Sequence, residues 1–234
     1  MEQLDQQLLL LLNGSQSTFL DNCFLLITRT STWIPLFIIL LIIVYHHYHA
    51  CGFSRRSHSP FLLLLLFIIA SALVIIICDQ TASTICKPLF ARPRPSHEPA
   101  LLGLVDLVNG RRGGAYGFFS SHAANTFGIA TFTALTLRKP IINITLYVWA
   151  LLSSYSRIYL GLHYPGDILV GITFGILVAY IIYRLSKPLF KINQQTTTNN
   201  TSTLPQLKSS AFNIQYALPT AFIATLLVIA IIAL

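Results

Sequence analysis

Charge is what this sequence has least of. Only 9% of its 234 residues are Asp, Glu, Lys or Arg, and the acids number seven, whereas soluble domains carry about a quarter charged residues. With 54% hydrophobic residues and a mean hydropathy of +0.69, that scarcity excludes an ordinary soluble domain and points to a polytopic membrane domain. Cysteine is sparse too. Cys23, Cys51, Cys78 and Cys86 show no CxxC spacing and three lie in or beside apolar runs, so free buried thiols are expected rather than a disulfide or a metal site. The first residues hold Glu2 and Asp5 in place of a basic cluster, so no cleavable signal peptide is expected. No internal repeat and no inverted pair of broken helices is found, which counts against a secondary transporter. The net charge of +8 would suggest nucleic acid in a soluble protein. Here the cations sit between apolar runs and fit membrane topology and an anionic ligand instead.

The apolar runs predict an all-α, polytopic membrane helix bundle. Residues 4–12 are too few to span, are closed by Asn13-Gly14-Ser15, and are expected to lie in the interface. Spans are expected over residues 24–45, 61–78, 118–137, 141–155, 165–183 and 216–234, about six transmembrane helices in all. The corresponding organisation is a membrane domain over residues 1–190, a polar linker over 191–211, and a C-terminal transmembrane helix over 212–234. Residues 46–60 read as a loop, with His46, His47, His49 and His58 favoured as interfacial anchors over metal ligands because no acid or cysteine completes a ligand set. Residues 79–99 hold Lys87, Arg92, Arg94 and four prolines, a stiff basic loop not expected to be helical throughout. A short surface helix is expected over 101–108, then a glycine-rich piece over 110–117, either flexible or a backbone pocket. Trp33, Trp149, Tyr155, Tyr159 and Tyr164 read as interface anchors.

If the middle spans alternate, the polar clusters 87–95, 120–122 and 156–167 share one membrane face. The opposite face then carries Arg55, Arg56, Arg138, Lys139, Arg184, Lys187, Lys191 and Lys208, which makes it cytoplasmic. The three clusters are thereby expected outside, on the periplasmic side of a Gram-negative inner membrane. Ionisable groups at such depth are costly and are functional candidates by default. Lys87, Arg94, Ser120, Ser121, His122, Arg157, His163 and Asp167 together hold more cations than one carboxylate balances, so the pooled site asks for an anion with several oxygens, such as phosphate. His163 and Asp167 are four apart, so the acid can orient the ring and support the imidazolium formed when the other nitrogen attacks. His122 has no acid beside it and stands among hydroxyls at a helix start, placed to protonate a leaving oxygen. A transporter or anion-binding membrane protein remains the alternative for these residues. Arg92, beside them, is read as a solvated surface charge.

Three motifs carry a resemblance. Lys87 to Arg94-Pro95 fits KxxxxxxRP, Phe119-Ser120-Ser121-His122 stands in place of PSGH, and Ser156-Arg157 with His163 and Asp167 fits SRxxxxxHxxxD. The chain resembles the type 2 phosphatidic acid phosphatase superfamily of membrane lipid phosphatases. The resemblance implies a phosphohistidine on His163, Asp167 as its orienter, and His122 as acid for the leaving alcohol. It further implies a phosphate held by Lys87, Arg94, Ser120, Ser121 and Arg157, with neither metal nor cofactor. Implied substrates include lipid A and undecaprenyl diphosphate, placed first for an outward-facing site, and phosphatidylglycerol phosphate and phosphatidic acid. Relatives that transfer phosphate between lipids share every residue named. Vanadium haloperoxidases share the site in the wider superfamily but are soluble. Phe119 for proline and Ser121 for glycine are the departures, and they touch the shape of the middle loop.

Overall fold

The computed structural model of the protein describes residues 2–15, 17–50, 59–190 and 206–234. Cys51, Arg55, Arg56 and His58 lie outside the described residues, as does the expected linker up to residue 205. Among the described residues are nine α-helices: α1 (Glu2–Leu12), α2 (Thr18–Ile27), α3 (Ile34–Ala50), α4 (Pro60–Gln80), α5 (Lys87–Phe90), α6 (Ser121–Leu137), α7 (Pro140–Tyr159), α8 (Pro165–Ser186) and α9 (Gln206–Ala233). The chain shows no strand among these residues, only one isolated antiparallel bridge between Pro93 and Tyr116.

Four stretches are long and apolar enough to cross a bilayer: Thr30–Ala50, Pro60–Phe90, Pro165–Ser186 and Ile214–Ala233. Their outer faces expose Ile38, Phe61, Ile76, Leu169, Leu177 and Leu227, which makes sense only against lipid. The expected third and fourth spans, α6 and α7, do not meet that measure, so the expected total of six is not reached by it. α6 has only 17 residues, and α7 carries Asn143, Ser153, Ser154, Ser156 and Arg157. α6 packs against α4, α7 and α8, with Ala123, Ala124, Ala130 and Phe132 fully buried. Protein shields this helix, so it tolerates hydroxyls that lipid would not, such as Thr131 bonded to the Tyr147 hydroxyl at 3.1 Å.

Local signals set the helix ends. Ser59 caps α4 through its hydroxyl, which accepts from the Leu62 N–H at 3.2 Å, and Pro60 follows at the first helical position. Ser120 caps α6 in the same way on the Ala123 N–H. Arg138 closes α6 in the left-handed region, and Pro140 starts α7 two residues later, so α6 and α7 form a tight antiparallel hairpin. The closest helix pair is α6 and α8. A Cβ at Gly171 would sit 2.6 Å from the Ser120 carbonyl oxygen, and one at Gly175 would overlap the Ala124 carbonyl. Only glycine lets the two backbones approach so closely.

Several expectations are corrected. The expected first span, 24–45, is broken: α2 ends at Ile27, a 3₁₀ turn covers Thr30–Trp33, and α3 continues to Ala50. His46, His47 and His49 are therefore helical rather than in a loop. The expected loop 79–99 is helical as far as Phe90, because a π-helical turn over Thr81–Cys86 joins α4 to α5. Pro88 has no N–H and its ring crowds the preceding turn, and the widened turn accommodates it. The expected helix over 101–108 is absent. Two 3₁₀ turns, Pro99–Leu101 and Val108–Gly110, flank irregular chain there. Trp33, Trp149, Tyr159 and Tyr164 are buried rather than interfacial. Trp33 donates its indole N–H to the Ile27 carbonyl at 2.8 Å and meets Trp149 edge to face, so these rings seal the broken first span onto α7.

Candidate active site

The ends of α4–α5, α6, α7 and α8 place their polar residues at one end of the bundle, and two loops finish the site. The Arg94 N–H donates to the Ala115 carbonyl and the Gly117 N–H to the Arg92 carbonyl, both at 3.0 Å. These bonds clip the first motif to the glycine-rich segment, which is thus a backbone clamp. Gly117 also admits the site itself. A Cβ there would lie 3.1 Å from Asp167 Oδ2 and 3.7 Å from His163 Nδ1.

His163 sits in the turn between α7 and α8, beyond Gly161 at φ +67°, and is 2% exposed. Its Nδ1 faces Asp167 Oδ2 at 3.4 Å and its Nε2 faces Arg94 Nη1 at 3.4 Å. Burial pushes the imidazole down to about 3, opposed by the Asp167 hydrogen bond and assisted by the Arg157 and Arg94 charges. The ring is neutral near pH 7, as a nitrogen nucleophile must be. Asp167 is fully buried and heavily engaged. Oδ2 also accepts from the Tyr164 N–H at 3.2 Å, capping α8, and Oδ1 accepts from Arg92 Nη1 at 2.7 Å. The Asp167 carbonyl accepts from the Ser120 N–H at 3.1 Å, so the starts of α6 and α8 are tied together. Arg94 is anchored by donating to the Tyr116 carbonyl at 3.1 Å and the Leu162 carbonyl at 3.2 Å.

A second group gathers around Thr28, at the break after α2. Arg157 Nη1 donates to the Thr28 hydroxyl at 2.7 Å. The His122 ring lies against the Thr28 backbone and close enough to feel the Arg157 charge. Arg157 Nε is buried with no partner among the described residues, an open donor in a basic site. Among the described residues, Lys87 bonds only Ser83, at 3.4 Å, and joins the others through its charge, which Arg94 and Arg157 repel. Ser121 opens α6 half-buried beside the Ser120 cap. Thr126 donates its hydroxyl to the His122 and Ala123 carbonyls, the backbone of its own helix. The structure thus brings Arg94, His163 and Asp167 into direct contact, links Arg157 and His122 through Thr28, and leaves Lys87 and Ser121 at the margin.

The PAP2 superfamily signature matches residues 61–191, more than half of the chain. The chain belongs to the PAP2 superfamily. It is similar to the lipid A 4'-phosphatase of Bacteroides thetaiotaomicron, 37% identical over 190 residues that cover 81% of this chain and 80% of that one. A lipid A 4'-phosphatase of Porphyromonas gingivalis is 36% identical, with 78% and 73% covered. Among solved structures, the PAP2-type phosphatidylglycerolphosphate phosphatase of Bacillus subtilis shares the fold, with a TM-score of 0.52, 21% identity, and 82% of this chain and 88% of that chain covered. The protein is accordingly a multi-pass membrane protein with a PAP2 helix bundle.

Within this PAP2 bundle, three residues escaped the sequence reading. Arg92 is no solvated charge, because its guanidinium bridges Asp167 and Asp5 at 2.7 Å each and lies 4.1 Å over the Tyr164 ring. Burial opposes its charge, but the Asp5 hydrogen bond and the Asp167 carboxylate outweigh burial and hold its pKa above the ordinary value. Asp5 and Thr28 precede the PAP2-matched segment. Asp5 left one legible signal, an acid on a leucine-rich helix in a chain with seven acids. Thr28 left none.

Proposed function

We propose that this membrane lipid phosphatase removes the 4'-phosphate of lipid A through a phosphohistidine on His163. The observation that carries the chemistry is the split environment of the His163 ring, with Nδ1 toward a carboxylate and Nε2 toward a guanidinium. An incoming phosphate oxygen is a stronger acceptor than an imidazole nitrogen, so it draws Arg94 onto itself and leaves the Nε2 lone pair facing phosphorus. The negative charge of the bound phosphate favours the protonated His122 ring; Nε2 then bonds to phosphorus as the ester P–O bond breaks, and the His122 imidazolium gives its proton to the departing sugar oxygen. Asp167 supports the positive ring. Water, losing a proton to His122, next attacks the phosphohistidine, releases inorganic phosphate and restores neutral His163. Arg94, Arg157 and Lys87, with the Ser120–Ser121 helix start, stabilise charge spread over the transferring oxygens.

Lipid A is favoured as substrate by the two relatives of that name, each more than a third identical over most of both chains. A periplasmic site on an inner-membrane protein is supported by the positive-inside rule, with Arg138, Lys139, Arg184 and Lys187 at the opposite ends of the helices. The experiment is phosphate release by the purified chain in detergent with EDTA, over lipid A, undecaprenyl diphosphate and phosphatidylglycerol phosphate, beside His163→Ala. The expected result is release from lipid A at the 4' position that survives the chelator and is lost in the mutant. Faster release from either other lipid overturns the substrate, and undiminished release by His163→Ala overturns the mechanism.

A further inference from the structure

A carboxylate from outside the PAP2-matched segment reaches the catalytic cluster. Asp5 lies on α1, which Leu9 anchors by packing with Tyr164, Ile158 and Ile168. The Asp5 side chain is only 14% exposed. Its Oδ1 accepts from the Gly166 N–H and its Oδ2 from Arg92 Nη2, both at 2.7 Å. Arg92 uses its other terminal nitrogen on Asp167 Oδ1, also at 2.7 Å, and the remaining Asp167 oxygen faces His163. The contacts run unbroken from Asp5 through Arg92 and Asp167 to His163.

The charge count gives this chain of contacts a purpose. Arg92 and Asp167 alone would form a neutral pair, with little left to balance the positive charge that grows on the His163 ring during attack. Asp5 adds a second carboxylate to one guanidinium, so the three side chains together carry a net charge of −1. The geometry is also selective. A Cβ at residue 166 would sit 2.7 Å from Asp5 Oδ2, so glycine is what admits the carboxylate at the start of α8. The exposed amides of that first turn further favour an acid there.

We propose that Asp5 is a positioning residue for phosphoryl transfer: it holds one edge of Arg92, so that Asp167 stays oriented and net anionic against the His163 ring. The N-terminal helix is thereby part of the catalytic apparatus rather than only a surface float. This inference rests on His163 as the nucleophile.

The test uses the full chain in detergent with lipid A as substrate, comparing wild type, Asp5→Asn, Asp5→Glu, Gly166→Ala and His163→Ala. Asn keeps the size and the acceptor for the Gly166 N–H but removes the charge. Asp5→Asn is expected to lower kcat about tenfold, the order expected for one charge removed at this range in a half-buried setting, with KM within about twofold. Asp5→Glu restores most of kcat, and Gly166→Ala, which keeps the acid but displaces it from Arg92, lowers kcat as Asp5→Asn does. A merely structural tether predicts Asp5→Asn at wild-type kcat, or a loss that follows a lowered melting temperature, and either result overturns the proposal. Turnover undiminished in His163→Ala removes the nucleophile assignment and this inference together, so that failure is told apart from a failure of Asp5 alone.

Discussion

One methyl group at Gly117 probes how tightly the site is built. A Cβ there would lie 3.1 Å from Asp167 Oδ2, 3.3 Å from Arg94 Cγ and 3.7 Å from His163 Nδ1. Comfortable contacts of carbon lie at about 3.5 Å or more, so one neighbour must retreat by a few tenths of an ångström. None is free to do so. Asp167 is held by Arg92 at 2.7 Å and by the Tyr164 N–H at 3.2 Å, and Arg94 by two carbonyls at 3.1 and 3.2 Å. The displacement therefore falls on the Asp167–His163 contact, already 3.4 Å long. Since about 1 Å of misplacement can cost about a hundredfold in rate, a shift of this size predicts a kcat loss of roughly three- to tenfold for Gly117→Ala. Overpacking adds a stability cost of about 1–3 kcal/mol. The control is Gly114→Ala, whose Cβ would meet nothing within 4 Å and which is expected to match wild type. Initial rates of phosphate release in detergent, normalised to folded protein by thermal melts, decide the matter. Equal kcat in the two alanine variants would refute the reasoning, because it would mean that the Asp167–His163 geometry is slack.

Two further outcomes are expected. Gly175→Ala places a methyl against the Ala124 carbonyl at the closest approach of α6 and α8, where both partners are backbone, so a destabilisation of about 1–3 kcal/mol is expected; an unfolding titration with wild-type stability would show that the helices separate freely. For His163, burial lowers the imidazole to about 3 from an ordinary value near 6.5. Its contribution to stability is thus fully present above pH 6.5 and drains away as pH falls from there toward 3. Histidine NMR, with the His163 signals identified by their loss in His163→Gln, should show a neutral ring throughout pH 7 to 5 while the melting temperature declines; protonation centred near pH 6.5 would contradict the burial.

The amino-acid sequence by itself determined the membrane class, the helical architecture and the identity of the central residues. Apolar runs of span length have no other stable home, and an arginine, a histidine and an aspartate inside such a chain cost too much to be incidental. His163, Asp167 and Arg94 could be named together because a short turn, a capping position and a proline-flanked arginine are local features that a linear pattern records. Tertiary structure alone decided the rest. Arg92 read as an exposed charge because nothing nearby in sequence partners it, whereas its partners, Asp5 and Asp167, stand 87 and 75 residues away. Thr28 became a contact of Arg157 only because the expected first span breaks beside it. α6 read as an ordinary span because hydropathy measures composition, while its burial between α4, α7 and α8 is a property of packing. Trp33 and Trp149 carry the same lesson. An amphipathic ring suits a membrane interface and a protein core equally well, and only the folded bundle chose the core.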